Sequence, residues 1–177
     1  MIVERITQPT VQPFDRRDVA THLRADTVDF AWEITVHGRA AAAELEKYAQ
    51  IALLDQTIRV TCDGWGRKAC LDLPIAPLLD ALSVVITVDG VAFDEFAVTT
   101  GLRPSLRLTG DRPCGLVVIE YLAGFGPAAT DVPPDLALAI LDQAAASFDQ
   151  RGDNEGKSIG VSPHMARIAA RYRRLAI

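Results

Sequence analysis

Residues 119–151, IEYLAGFGPAATDVPPDLALAILDQAAASFDQR, join a predicted strand to a predicted helix and so decide the fold. Val117, Ile119 and Tyr121 alternate with Val118, Glu120 and Leu122 at the spacing of a strand, and the two glycines that follow Ala123 permit backbone angles that other residues resist. The double proline disfavours helical backbone before it, while Pro134 itself suits the first turn of a helix. This stretch therefore predicts a strand that ends near Ala123 and an amphipathic helix that begins at Pro134.

Length and composition indicate one soluble globular domain, residues 1–177. The chain is 49% hydrophobic and 23% charged, which is enough apolar material for one substantial core. No apolar run reaches the ~20 residues that a membrane span needs, and the N-terminus lacks the order of a secretory signal, so we expect synthesis in the cytoplasm and no membrane partner. The net charge of −5 argues against a general nucleic-acid binder.

Helices are predicted on both sides of a β-rich segment. Asp15 is placed to cap a short helix, and apolar residues at helical spacing predict a longer helix from Asp29, which Gly38 should weaken. Pro163 opens a last helix after a polar, Gly-rich stretch, residues 152–162, which we interpret as a flexible linker. The predicted fold class is α+β, a helical core with an inserted antiparallel sheet.

The insert, residues 56–122, should contain about six short strands. Alternation and turn residues predict three successive hairpins, of which the second turns at Asp89-Gly90, the strongest short hairpin signal in the chain. The first hairpin would join a strand at residues 58–62 to one ending at Leu73. The third would join a strand at residues 106–108 to residues 116–121.

Three cysteines without C-x-x-C spacing favour neither a disulfide framework nor zinc, and we expect buried, reduced thiols. The three histidines are far apart in sequence, so no metal is expected. Residues 124–129 fit G-x-G-x-x-A, but the helix begins too late to meet a pyrophosphate. Residues 152–158 fall one residue short of a P-loop. No cofactor is therefore predicted.

One motif leaves an enzymatic alternative open. Residues 156–160, GKSIG, match the G-x-S-x-G nucleophile elbow, and His164 follows them. No acidic residue comes after His164, whereas a hydrolase of that type places an acid and then a histidine after its serine. A small cytoplasmic hydrolase that uses Ser158 and His164 is the alternative function.

The C-terminus carries a concentration of positive charge. Four arginines and no carboxylate occur in the last eleven residues, and apolar residues recur at helical spacing between them. Such a segment suits an acidic protein surface or a phosphate, although a solvated helix face would show the same pattern. The sequence is therefore compatible both with a solvated helix face and with a surface that binds an acidic partner.

The order of blocks resembles the head-tail connector, or adaptor, family of tailed phages, prophages and gene transfer agents. The matching blocks are THLRAD at residues 21–26, LDLPIAPL at 71–78, SVVITVDGV at 83–91, IEYLAGFG at 119–126, DVPPDLALAIL at 131–141 and ARYRRLAI at 170–177. The long helix before Leu54 also fits, so the resemblance covers residues 15–177. Each block alone is weak, and their order carries the resemblance.

The resemblance implies a non-enzymatic structural protein of a particle neck. Members of that family form a ring, commonly a dodecamer, between the portal protein and the tail-completion or stopper proteins, with DNA passing through the channel. The C-terminal segment, residues 163–177, would dock on the portal, and its deletion should abolish docking while leaving the core folded. The implied docking residues are Arg167, Ile168, Arg171, Tyr172, Arg173 and Leu175. A cytoplasmic oligomeric scaffold unrelated to phages would share the fold but lack the portal partner.

Overall fold

The structure is a computed structural model that describes residues 1–26, 29–149 and 160–173. These residues form four α-helices and eight β-strands, so the predicted α+β class is confirmed. The chain divides into two compact units. One, the β unit, consists of Met1–Pro9 and Leu54–Phe125, and the other, the helical unit, consists of Thr10–Leu53 and Gly126–Ile177.

The helical unit contains all four helices: α1 Arg16–Leu23, α2 Ala31–Ala49, α3 Pro134–Asp149 and α4 Pro163–Tyr172. The predicted cap is confirmed, because Asp15 Oδ1 accepts a hydrogen bond of 2.8 Å from the Arg17 N–H. The predicted start at Pro134 is confirmed as well. Helix α2 begins two residues later than the pattern indicated and ends where Gln50 adopts a left-handed conformation, with φ of 56°.

The core of the helical unit lies among α1, α2, α3 and α4. Its fully buried side chains include Ile34, Leu45, Leu136 and Ile140. Gly38 does not merely weaken α2, because a Cβ at this position would lie 2.5 Å from the ring of Phe14. The glycine thus lets the Phe14 ring pack directly on the helix backbone.

The β unit contains two antiparallel sheets rather than the single sheet that the sequence predicted. The first has the strand order β1-β2-β8-β4-β5 and the second has the order β3-β7-β6. The strands are β1 Ile2–Arg5, β2 Gln56–Cys62, β3 Cys70–Asp72, β4 Val85–Val88, β5 Val91–Ala92, β6 Phe96–Thr99, β7 Ser105–Leu108 and β8 Val117–Ala123. The count is eight among the described residues instead of about six, partly because the N-terminal strand β1 was not predicted.

Only the hairpin at Asp89-Gly90 is confirmed among the three predicted. Asp89 and Gly90 both have positive φ, 50° and 82°, as a two-residue type I′ turn requires, and β4 pairs with β5 across them. The first and third hairpins are wrong, because β2 pairs with β1 and β8 whereas β3 pairs with β7. The returning strand after Gly90 is also short, and β6 joins the second sheet.

Strands β2 and β8 form the centre of the first sheet. Their buried faces match in register, with Ile58 opposite Tyr121 and Val60 opposite Ile119, and all four side chains are 0–1% exposed. Strand β8 ends at Ala123, as predicted. All three cysteines are free, but only Cys62 is buried, so the expectation of buried thiols is wrong for Cys70 and Cys114. Burial raises the pKa of the Cys62 thiol.

The Tyr121 hydroxyl is hydrogen-bonded to both backbone groups of Ile75. It is buried, donates to Ile75 O at 3.0 Å and accepts from Ile75 N at 3.1 Å, and burial raises its pKa. A Tyr121→Phe variant would leave both backbone groups without this partner, so we expect a loss of about 1–3 kcal/mol in the free energy of unfolding. Urea denaturation measures it. An unchanged midpoint would show that water replaces the hydroxyl at no cost.

Candidate functional site

The C-terminal helix α4 carries four of the six residues that the resemblance implies for docking: Arg167, Ile168, Arg171 and Tyr172. It begins at Pro163, whose fixed φ suits the first turn, and Ser162 Oγ accepts a hydrogen bond of 3.1 Å from Met165 N. The N-terminal boundary predicted from the sequence is therefore confirmed. Helix α4 packs against α2 and α3 within the helical unit.

Gln143 attaches the start of α4 to the rest of this unit. It is a buried polar residue on α3, 2% exposed. Its amide nitrogen donates to Glu44 Oε2 at 2.9 Å and to Gly160 O at 3.3 Å, and its amide oxygen accepts from Ser162 N at 2.7 Å. Both ends of the amide are thus satisfied, as a buried polar group requires. The sequence reasoning missed this residue, although an amide within the apolar stripe of α3 could have indicated it.

We expect a Gln143→Leu variant to loosen the start of α4. The substitution removes all three hydrogen bonds and leaves the Glu44 carboxylate and the Ser162 N–H without this partner. The expected loss is about 1–3 kcal/mol in the free energy of unfolding. Hydrogen exchange should also accelerate at Ser162 and in the first turn of α4. If exchange there stays at the wild-type rate, Gln143 does not anchor the helix.

The inner side of α4 belongs to the core of the helical unit. Met165 and Ala169 are 0% exposed and Ile168 is 4% exposed. The Tyr172 hydroxyl donates to Asp135 Oδ1 at 2.8 Å, and partial burial followed by this hydrogen bond raises the pKa of Tyr172 to about 12. Ile168 and Tyr172, two of the predicted docking residues, thus pack within their own unit. Deletion of residues 163–177 is therefore expected to expose this core, contrary to the expectation from the sequence.

The outer side of α4 and the residue after it carry three exposed arginines, which we call the arginine patch: Arg167, Arg171 and Arg173. Arg171 Nη1 lies 4.0 Å from Asp135 Oδ2, at the limit of an ion pair, and the Arg171 side chain remains 59% exposed. The Arg173 guanidinium lies 5.6 Å from the centre of the Tyr48 ring, a cation–π distance. Three of the six predicted residues are thus exposed, two on the outer side of α4 and Arg173 directly after it. Leu175 lies outside the described residues.

A second polar cluster joins α1, α3 and α4. Asp142 on α3 contacts two histidines, with His22 Nε2 at 2.9 Å from Oδ1 and His164 Nδ1 against Oδ2. His164, the base of the alternative hydrolase, is therefore used in helix packing, and its supposed nucleophile, Ser158, lies outside the described residues. Within the part of the chain that the structure describes, no group of three or more His, Cys, Asp or Glu residues could hold a metal ion.

No helix among the described residues is long and apolar enough to cross a membrane. No protein-family model matches this chain, and neither does any curated protein. Solved structures do match it over its whole length.

Three of the matching structures are assemblies of gene transfer agent particles. A chain in the virion of a native particle has a TM-score of 0.79 and 24% identity. Chains in the neck of an empty particle, computed with C6 symmetry, and in the neck of a native particle, computed with C12 symmetry, have TM-scores of 0.77 and 0.76 with 24% and 22% identity. Each match covers 100% of this chain and 97% of the other.

The two units together thus define a known α+β fold, from the first residue to the last. In particular, it is the fold of a chain from gene transfer agent particles. The fold that the resemblance implied is confirmed.

Proposed function

We propose that this chain is a non-enzymatic structural protein of a particle neck, acting as a head-tail connector. The observation that carries the proposal is the full-length match to chains from gene transfer agent particles and their necks. The match covers all of this chain and 97% of the other, so the likeness extends over both units. A fold alone does not determine function, so the proposal also needs a surface suited to assembly.

The connector would form a ring around the DNA channel, between the portal and the tail-completion proteins. Two of the matching chains come from necks computed with C6 and C12 symmetry, and cyclic symmetry is what a ring of identical subunits produces. A dodecamer is the proposed stoichiometry. With a net charge of −5, the chain is suited to let DNA pass rather than to bind it.

The arginine patch would dock on the portal. Its side chains are exposed while the inner side of the same helix is fixed in the core, so the patch is held on a rigid element. Guanidinium groups form bidentate hydrogen bonds with carboxylates, which fits an acidic rim on the partner. Ile168 and Tyr172 would then position the patch rather than contact the portal. Residues 174–177, which include Leu175, would extend the docking segment.

The test is a charge reversal of the patch, Arg167→Glu with Arg171→Glu and Arg173→Glu. Because these side chains are exposed, we expect the variant to stay folded, while its recovery with the portal falls at least about a hundredfold, as for buried interfacial charges whose partners are left unpaired. Co-purification with the co-expressed portal measures the loss. Circular dichroism and urea denaturation confirm that the variant is folded.

The matched control reverses three exposed arginines of the β unit, Arg67→Glu with Arg103→Glu and Arg107→Glu. This variant should co-purify with the portal as the wild type does. Equal loss in the control would point to a general charge effect. Unchanged co-purification of the triple variant would contradict docking through the arginine patch.

A further inference from the structure

Helix α2 has a second apolar side that faces solvent. Trp32 is 74% exposed and Val36, one turn later, is 41% exposed. Ala40 and Ala43 continue the same line along the helix and are also exposed. We call these four residues the outer stripe.

The outer stripe is not needed for the core of the chain. Helix α2 already buries Ile34, Ala41 and Leu45 on its opposite side. A helix with one apolar side is expected at the surface of a globular unit, and a second apolar side that includes a tryptophan is typical of a protein interface. Tryptophan is also among the residues that contribute most to binding free energy.

The exposed charged residues of α2 are basic and lie beside the outer stripe, whereas one half-buried carboxylate, Glu33, lies at its start. Arg39 and Lys47 are exposed on this side of α2. Two of the acidic residues of the helix have partners within the helical unit: Glu44 Oε2 accepts from Gln143, and Glu46 Oε1 accepts from Leu53 N at 2.8 Å. A partner for the outer stripe should therefore be apolar and acidic.

The β unit presents a surface of that kind, residues 79–82, which we call the leucine knob. Leu79 is 59% exposed and Leu82 is 91% exposed, the highest value among the exposed large apolar residues. Asp80, also exposed, lies between them. The knob thus combines two projecting leucines with one carboxylate.

The leucine knob is held in place by hydrogen bonds on both sides. Before it, the backbone of Leu78 exchanges two hydrogen bonds with Gly101, of 3.1 and 2.7 Å. Within it, Asp80 Oδ1 accepts from Leu82 N at 2.8 Å and caps the 3-10 helix Ala81–Ser83. An ordered surface loses little conformational entropy on binding, which favours its use as a contact.

We propose that the outer stripe of one copy binds the leucine knob of the next copy in the ring. The apolar residues match, and the Asp80 carboxylate would face Arg39 or Lys47. The two surfaces lie on different units of the chain, and a contact between two different surfaces is what a closed ring requires. A contact of the stripe with a second stripe would instead give a two-fold dimer and bring like charges together. The inference rests on the proposed ring and adds to it the contact that closes the ring.

The test uses cysteines in cells that make the particle. Cys70→Ser and Cys114→Ser first remove the exposed native thiols. Val36→Cys and Leu82→Cys are then placed in separate chains, which are expressed alone or together before mild oxidation. We expect a disulfide-linked pair in the particle fraction when both variants are present and none with either variant alone.

Three results would overturn the inference. Pairs formed by one variant alone would mean that like surfaces meet. No pair in the mixture, with the chain present in the particle neck, would place the ring contact elsewhere and leave the proposed function intact. Absence of the chain from particles would refute the proposed function, and the inference with it.

A substitution adds a measurement that does not depend on thiols. Trp32→Ala should lower incorporation into particles about thirtyfold, as expected for a residue that dominates an interface. Val91→Ala, at another exposed apolar position, is the control and should leave incorporation unchanged. Normal incorporation of Trp32→Ala would contradict the proposed contact.

Discussion

A Gly124→Ala variant should lose about 2–6 kcal/mol in the free energy of unfolding. Gly124 has φ of 150°, a conformation that residues with a Cβ rarely adopt. A Cβ there would lie 2.5 Å from Asp55 N and 2.6 Å from Asp55 Cα, and both of these atoms belong to the backbone. The expected loss combines the strain of the dihedral angle with the backbone shift that relieves the clash, each about 1–3 kcal/mol. Urea denaturation with a two-state fit measures it.

Gly64→Ala separates the two causes. Gly64 also has positive φ, 116°, but a Cβ at that position would meet nothing within 4 Å. This variant should lose only the part that comes from backbone strain. An equal loss in both variants would show that the close approach of Gly124 to Asp55 does not contribute to stability.

A Met165→Asp variant should lose about 4 kcal/mol or more and unfold the helical unit at moderate temperature. Met165 is 0% exposed on the inner side of α4, so the new carboxylate would be buried without a partner. Thermal unfolding followed by circular dichroism measures the effect. Arg167→Asp, two residues later on the exposed side of the same helix, is the control and should stay within about 0.5 kcal/mol of the wild type.

The stability of Met165→Asp also shows whether deletion of residues 163–177 can test portal docking. If Met165→Asp unfolds the chain, then deletion of residues 163–177 would remove both the proposed docking segment and part of the core. A loss of portal binding after deletion would then have two causes. If Met165→Asp keeps the wild-type stability, α4 is not packed as the structure shows and the deletion becomes informative.

Local signals in the sequence predicted the helices well. Asp15 caps α1, Pro134 begins α3 and Pro163 begins α4, and in each case the residue acts within one turn of its own position. The turn at Asp89-Gly90 is local in the same sense. Such features depend on backbone angles that a few neighbouring residues determine.

Strand pairing could not be predicted in the same way. Alternation identified β2 and β8, but it carries no information on which strands are neighbours, and β2 pairs with a strand about sixty residues away. Strand β1 was not predicted because its residues, Ile2-Val3-Glu4-Arg5, do not alternate between apolar and polar, and the strand is mostly exposed. Its pairing with β2 is a tertiary effect.

The predicted docking residues show a similar limit of prediction from sequence. One stripe of apolar residues on α4 could face either its own core or a partner, and the pattern is the same in both cases. The structure places Ile168 in the core and leaves Arg167 exposed. The outer stripe of α2 was not predicted, because an amphipathic helix at the surface of a globular unit is expected to have a single apolar side.

The central claim is that this chain is a structural component of a particle neck. Electron cryo-microscopy of the neck of purified particles from cells that express the chain tests it most directly. We predict a ring of density into which both units fit, with the arginine patch against the portal. A neck whose density is fully accounted for by other proteins, in particles that lack this chain, would contradict the claim.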